Sequence, residues 1–364
     1  MTAEEALARL DEFQKPTKDA TLGVRKDAVW LHIPLAVDPA SDGRWVLDIN
    51  HPDLNRIDVL LLQNGKVLQR SVLGTEVPRA QRPLPGRTPA QAFQLEAGQN
   101  YEFLLRVQTR GAMILPITFN TPTGILGRAV NEQMLQGVLT GLALCLIFYS
   151  MAQWYSLREP LFIQYALLTS GSLLYSLHFF GVGQQYLWGH SPWLTSHAVG
   201  LASLMAITGS FLFMSQALAG HNPQSRFLRR MRLGALFTVG LGVAFALDLI
   251  SLKGLAAIVS IMGPLPALLC LPGAWRRARA GDSIGTTLLI AWFVYGLGSA
   301  AIIGVINGAL PVNFWTLHSF QISATLDMLL FMRVLGLRTK ELHTKLQHAN
   351  QQLDAMHSLA TPTR

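Results

Sequence analysis

The sequence predicts a multi-domain membrane protein: an extracellular all-β, jelly-roll-like sandwich, a seven-helix transmembrane bundle and a C-terminal cytoplasmic coiled coil. Three observations predict it. The first is uneven charge: the 364 residues are 50% apolar and 14% charged, with a net charge of +8, whereas soluble domains carry about 25% charge. Residues 1–130 hold 15 basic and 14 acidic side chains, residues 131–332 only nine and five, and the last 32 residues five and two. The second is a series of short alternating apolar runs before residue 120, and the third is a heptad spacing after residue 333. Disorder is excluded, because low charge with high hydrophobicity is the opposite of its signature. Nucleic acid is not expected as a partner, since +8 would have to cluster on one water-exposed face.

The outer domain is assigned to residues 1–125. Its strands are expected at 30–37, 45–49, 57–62, 66–71, 92–95, 101–107 and 114–119. Gln63-Asn64-Gly65-Lys66 is a hairpin signal, because Asn-Gly tolerates the positive φ angles of a type I′ turn. Seven short strands in about 90 residues suggest an antiparallel sandwich. No cysteine lies in this part, so the core must hold without disulfides. Residues 74–89 are rich in Pro and Arg, including Pro78, Arg79, Arg82, Pro83, Pro85 and Arg87. They suit a loop that binds an acidic or sugar ligand, with a solvated connector as the competing reading. Trp30 and Trp45 suit stacking on a sugar, against the alternative of ordinary strand packing.

The transmembrane domain is assigned to residues 130–335. Charge-free runs cover 133–157, 160–225, 233–247, 254–275 and 283–326. At about 20 residues per span they accommodate one, two, one, one and two helices, the 15-residue run reaching span length by including Asp248 and Leu249. The long runs break at 181–192 and 307–311, where Gly, Asn, Ser and Pro mark turns. With the N-terminal domain outside, the inner loops carry Arg158, Arg226, Arg229, Arg230, Arg232, Arg276, Arg277 and Arg279, and the outer side only Arg128 and Lys253. Eight against two is a positive-inside bias, placing the C-terminus in the cytoplasm and the protein in a bacterial inner membrane. Met1-Thr2-Ala3-Glu4-Glu5 lacks the features of a signal peptide, so a removed leader is expected.

Within the bundle, a retinal protein is excluded because the only lysine between 129 and 332 is Lys253, in an outer loop. His178, His190, His197, His221 and His318 show no metal-ligand spacing, and no metal or other cofactor is expected. Cys145 and Cys270 read as packing residues. No nucleophile, acid–base set or phosphate loop is visible, so the chain is not expected to be an enzyme. An ionisable group inside the membrane is a functional candidate by default: Asp327, with Arg333 six residues later, suits a switch that accepts hydrogen bonds at the level of Gln321, a purely structural hydrogen bond being the alternative. Pro264, Pro266 and Pro272 are expected to kink the fifth span, as a hinge or for packing alone.

Leu157-Arg158-Glu159-Pro160 with Tyr165, followed by the sequence from Phe180-Gly181-Val182-Gly183 to Leu187-Trp188, resembles the second span and first outer loop of the bacterial seven-transmembrane receptors with diverse intracellular signalling modules. Gly281, Ala291-Trp292, Leu310-Pro311, Gln321-Ile322, Asp327 and Arg333 resemble that family's last two spans. The family usually has Glu where Asp327 stands. Trp30 and the run from Tyr101-Glu102-Phe103 to Val107 are similar to its sandwich-type sensor domain. The resemblance covers nearly all of residues 20–340. It implies a jelly-roll-like sensor of a small-molecule or carbohydrate ligand, relaying to a cytoplasmic module of the diguanylate cyclase, histidine kinase or phosphatase type.

Leu335, Leu342, Leu346, Ala349, Leu353, Met356 and Ala360 are spaced 7, 4, 3, 4, 3 and 4, a heptad seam over residues 336–364 that would dimerise the receptor. His357-Ser358-Leu359-Ala360-Thr361-Pro362 is similar to a histidine-kinase phosphoacceptor box but lacks its Glu and basic residue. The expected output is therefore a module beyond this segment or a separate partner. Two other classes compete. A transporter or permease would need repeated halves and broken helices around a midplane site, which an odd span count and a single Pro-rich helix oppose. An intramembrane enzyme lacks a catalytic set.

Overall fold

The computed structural model describes residues 2–16, 20–25, 27–218 and 226–360. His221, Thr361 and Pro362 lie outside the described residues, as do the side chains at 346, 349 and 353–360, which hold most of the heptad seam and the rest of the phosphoacceptor-like box. The chain divides into two compact units: residues 1–141, 173–200 and 298–322 in the first, and 142–172, 201–297 and 323–364 in the second.

The first unit opens with helix α1 (Ala3–Leu7), started by a capping box in which the Glu5 amide donates to Thr2 Oγ1 and the Thr2 amide to the Glu5 carboxylate, satisfying two orphan donors at once. The strands are β1 (Thr21–Val24), β2 (Val29–Ala36), β3 (Arg44–Ile49), β4 (Arg56–Gln63), β5 (Lys66–Leu73), β6 (Ala90–Gln94), β7 (Asn100–Gln108), β8 (Ala112–Ile114) and β9 (Ile117–Asn120). They form an antiparallel four-stranded sheet of order β2-β7-β4-β5, a three-stranded sheet β6-β3-β9 and the pair β1-β8. Phe103 of the larger sheet meets Phe93 and Phe119 of the smaller, each at 5.0 Å between ring centroids. These rings join Leu47, Ile49, Ile57, Val59, Leu61 and Leu105 in a dry inter-sheet core. Burial of such alternate side chains is what holds a sandwich together.

The β4-β5 hairpin turns at Asn64 and Gly65, with φ of +51° and +72°, and pairs Gln63 with Lys66, as the Asn-Gly signal predicts. The strand expected at 114–119 is two strands, because Pro116 has no N–H to continue a ladder. β1 is an addition; its four residues include Gly23 and carry little alternation.

The helices are α2 (Pro122–Leu157), α3 (Pro160–Phe179), α4 (Val182–Tyr186), α5 (Pro192–Leu218), α6 (Arg226–Ala246), α7 (Leu252–Met262), α8 (Leu265–Arg279), α9 (Ser283–Ile306) and α10 (Phe314–Ala360). Among the described residues, five helical stretches are long and apolar enough to cross a membrane: α2, α5, α7 with α8, α9 and α10. α3 and α6 occupy the other two expected positions; α3 carries Gln164, Thr169, Ser170, Ser172 and Ser176 among its apolar residues, and α6 has four arginines in its first two turns. The extension of α6 through Asp248 and Leu249 does not occur. The helix ends at Ala246 and Asp248 takes a left-handed φ of +57°, which a short polar side chain tolerates better than most. The expected proline kink is a break at Gly263-Pro264 between α7 and α8, with Pro264 exposed, Pro266 buried and Pro272 inside α8.

The second unit has its own core, built around Tyr165, Phe211, Phe213, Met231, Leu288 and Phe331. Gly171 lets α3 lie against α5, since a Cβ there would stand 2.3 Å from the Ala206 nitrogen.

Candidate functional site

Residues 74–89 are positioned by their arginines. Arg79, in a single 3-10 turn (Arg79–Gln81), donates to the Gln185 carbonyl just beyond α3, and the Gln184 amide donates back to the Thr75 carbonyl at 3.3 Å. Arg82 Nε donates to the Val77 carbonyl at 3.0 Å, inside the loop itself. Arg82 and Arg87 border a small cleft with Pro52, Gly74 and Thr88.

Arg87 reaches furthest. Its guanidinium donates to the Phe180 carbonyl and to Asn50 Oδ1, both at 3.0 Å, and lies 3.8 Å from the Glu132 carboxylate of α2. Both charged side chains are about nine-tenths buried. Glu132 accepts from Gln136 Nε2 at 3.2 Å and meets His318 Nε2 of α10 at 3.0 Å. Gln136 and Gln321 then close a reciprocal amide pair at 3.0 and 2.7 Å. The result is a continuous buried polar chain, Asn50–Arg87–Glu132–His318 with the branch Gln136–Gln321, running from the sandwich loops to α2 and α10. Each member satisfies groups that would be costly to bury alone.

Neighbouring contacts brace this chain. Gly181, at φ +73°, is forced by close approach: a Cβ there would stand 2.6 Å from Pro52 Cβ and 3.0 Å from the Arg87 carbonyl. Asp48 of β3 is almost fully buried and accepts from Thr88 at 2.8 Å and from Arg128 of α2 at 3.1 Å. Burial pushes the Asp48 carboxyl above its ordinary range, against the opposing pull of Thr88, Arg128 and Arg87. Burial likewise lowers the Arg87 guanidinium, opposed by Glu132 and Asp48; an arginine stays charged regardless. Ile114 of β8 packs with Ile302, Val305 and Leu317 of α9 and α10.

Trp30 is half-buried in a cluster with Ala6, Leu60, Leu62 and Leu104. Trp45 packs on the inter-sheet core while its Nε1 donates to Ser41 Oγ at 3.0 Å. Neither is brought together with Arg79 or Arg82 by a described contact.

Asp327, in the second unit, has a buried Oδ1 with no hydrogen-bond partner among the described residues, while Gln321, in the first unit, is taken up by Gln136. Arg333 is exposed. Tyr165 Oη donates to the carbonyl of Met328, the residue after Asp327, at 2.9 Å. At the other end of this unit, Arg277 of α8 binds Asp282, donates to the Ala217 carbonyl at 3.2 Å and lies 3.5 Å from Glu341 of α10. Glu341 also binds Arg338 and Lys345.

Glu132, Gln136 and His318 are the residues that sequence reasoning missed. A signal was present: Glu132/Gln136 and His318/Gln321 are polar pairs at helical spacings of four and three, at one end of the first and last spans.

Residues 132–338 match the family model described as 7TM diverse intracellular signalling, and residues 1–121 match the one described as 7TMR-DISM extracellular 2. No curated protein matches the chain.

Proposed function

The chain belongs to the seven-transmembrane receptors with diverse intracellular signalling, and from that premise we propose that it is a dimeric receptor of the bacterial inner membrane. Its jelly-roll-like sandwich (residues 1–125) senses a small molecule, a carbohydrate or acidic compound, outside the cell. Seven spans (130–335) carry the state inward, and residues 336–364 continue as a coiled coil to a cytoplasmic output module. The chain's own role is binding and relay, without catalysis. The observation that carries this reading is the buried polar chain from Asn50 and Arg87 to Glu132 and His318. It ties loops of the sensory sandwich to the first span and to α10, a single helix that leads without a break toward the C-terminus. A shift at residues 74–89 therefore has a direct mechanical route to the output end.

The test uses the full chain in lipid nanodiscs, with Cys145 and Cys270 replaced and single cysteines at Leu346→Cys or Leu353→Cys. A panel of neutral and acidic monosaccharides is screened by thermal shift. A stabilising sugar should change the yield of the disulfide-linked dimer, and Arg79→Ala with Arg82→Ala should abolish the shift. A chain that stays monomeric under every condition refutes the reading.

A further inference from the structure

The joint between α2 and α10 holds one proton more than its residue types require. His318 Nδ1 lies 2.8 Å from the Phe314 carbonyl, and His318 Nε2 lies 3.0 Å from Glu132 Oε1. A carbonyl only accepts, so Nδ1 carries a proton. The second contact needs a proton as well, on Nε2 or on the carboxyl, because a bare imidazole nitrogen and a carboxylate oxygen at 3.0 Å would repel. A neutral imidazole facing an ionised carboxylate can make one of these bonds, never both.

We propose that the Glu132–His318 contact is a proton-operated lock, closed when the pair holds the shared proton and opened when that proton leaves to the outer aqueous phase. This rests on the relay reading and names its regulation: external pH is an input to the receptor. The groups packed around the pair make it a switch. Arg87, from the loop, stands 3.8 Å from Glu132 and disfavours the extra proton. Asp48 of β3 and Arg128 of α2 neutralise each other beside it. From the α3 side, His178 faces Asp53 at 3.7 Å, and His51 sits on Phe179. Counting Asp48, Arg128, Arg87 and the pair, the joint is at +1 with the proton and at zero without it. Favouring the proton are the two hydrogen bonds and the faces of Phe180 and Phe314, which stack on the imidazole at 5.0 and 4.4 Å, a placement that stabilises a cation. Losing the proton breaks either the tie between α2 and α10 or the bond within the first turn of α10.

Hydrogen exchange on the full chain in nanodiscs, followed from pH 5 to pH 9 and corrected for intrinsic rates, tests this. Amides in 178–188 and 314–321 should exchange at least tenfold faster at the alkaline end. In Glu132→Gln the side-chain amide can donate to Nε2, so no extra proton is needed and the rise toward alkaline pH should vanish; His318→Gln, which cannot titrate, should lack that rise equally. A flat wild type, or variants that keep the wild-type dependence, overturns the proposal. Arg87→Ala separates the two readings: if it loosens these segments at every pH while the wild type is flat, the relay joint stands and the lock falls. If neither perturbation moves them, both fall.

Discussion

Replacing Arg87 with alanine is the most informative perturbation of the joint. The substitution leaves the Phe180 carbonyl and Asn50 Oδ1 without their donor and removes the cation 3.8 Å from a Glu132 that is nine-tenths buried. Hydrogen bonds to a charged donor contribute about 1.5–3 kcal/mol each, and breaking a buried pair from one side costs about 3–5 kcal/mol. Glu132 keeps His318 and Gln136, which limits the loss, so about 3–5 kcal/mol is expected in all. Arg87→Lys, which keeps the charge but not the planar fork, should cost about half of that. Arg79→Ala, at a half-buried site with one bond to a carbonyl, should cost about 1 kcal/mol. Denaturant titration in nanodiscs, read by tryptophan fluorescence, gives the differences. A cycle with Glu132→Gln should return a coupling of at least about 1 kcal/mol, because the two residues share one network. An Arg87→Ala protein within about 0.5 kcal/mol of wild type would refute the claim that this residue holds the joint together.

Gly181→Ala should destabilise the same unit by about 2 kcal/mol or more, since a side chain is disfavoured at φ +73° and would collide with Pro52; a thermal midpoint unchanged from wild type would contradict this. Burial lowers the His51 imidazole, with Asp53 opposing and Arg87 assisting, so its contribution to stability is complete above the unfolded value near 6.5 and is lost as pH falls toward the depressed folded value. Relative to His51→Leu, the wild type should therefore lose up to about 1.4 kcal/mol per pH unit on acidification below about 6.5. An identical pH dependence in the two proteins would count against it. Arg277→Ala should release Glu341 and raise hydrogen exchange over residues 336–345 severalfold, a cost of about 1 kcal/mol for a partly exposed pair; unchanged exchange there would show that the clasp does not restrain α10.

The sandwich was legible because strand side chains alternate and because Asn-Gly, Pro and Gly punctuate them. Two features were not: one apolar run was carried through Pro116, which cannot join a ladder, and β1 was missed because its four residues carry little alternation. The helices were legible because a membrane demands apolar length, so charge-free runs mark them with little ambiguity. The end of α6 was not, since the count was extended to Leu249 to fill a span, while the chain turns at Asp248. The site was read only in part. Arg79, Arg82 and Arg87 stood out as a basic loop, but their roles diverge: Arg82 holds the loop to itself, Arg79 ties it to the segment after α3, and Arg87 enters the buried chain. Asp327 drew attention as an isolated carboxyl in an apolar run. Glu132 did not, because it stands next to a charge boundary and reads as an ordinary span terminus.

The sequence by itself determined the class of the sandwich and of the helical segments, through alternation in the strands, turn residues between them and apolar length in the helices. All three are properties of residues near one another in the chain. Only the tertiary structure decided that Asn50, Arg87, Glu132, Gln136, His318 and Gln321 share one polar chain, its ends 271 positions apart in the sequence. No local pattern encodes that meeting, because burial selects partners by the geometry of packed elements. Once those side chains are enclosed away from water, each must find its donor or acceptor in whichever element the fold has brought beside it.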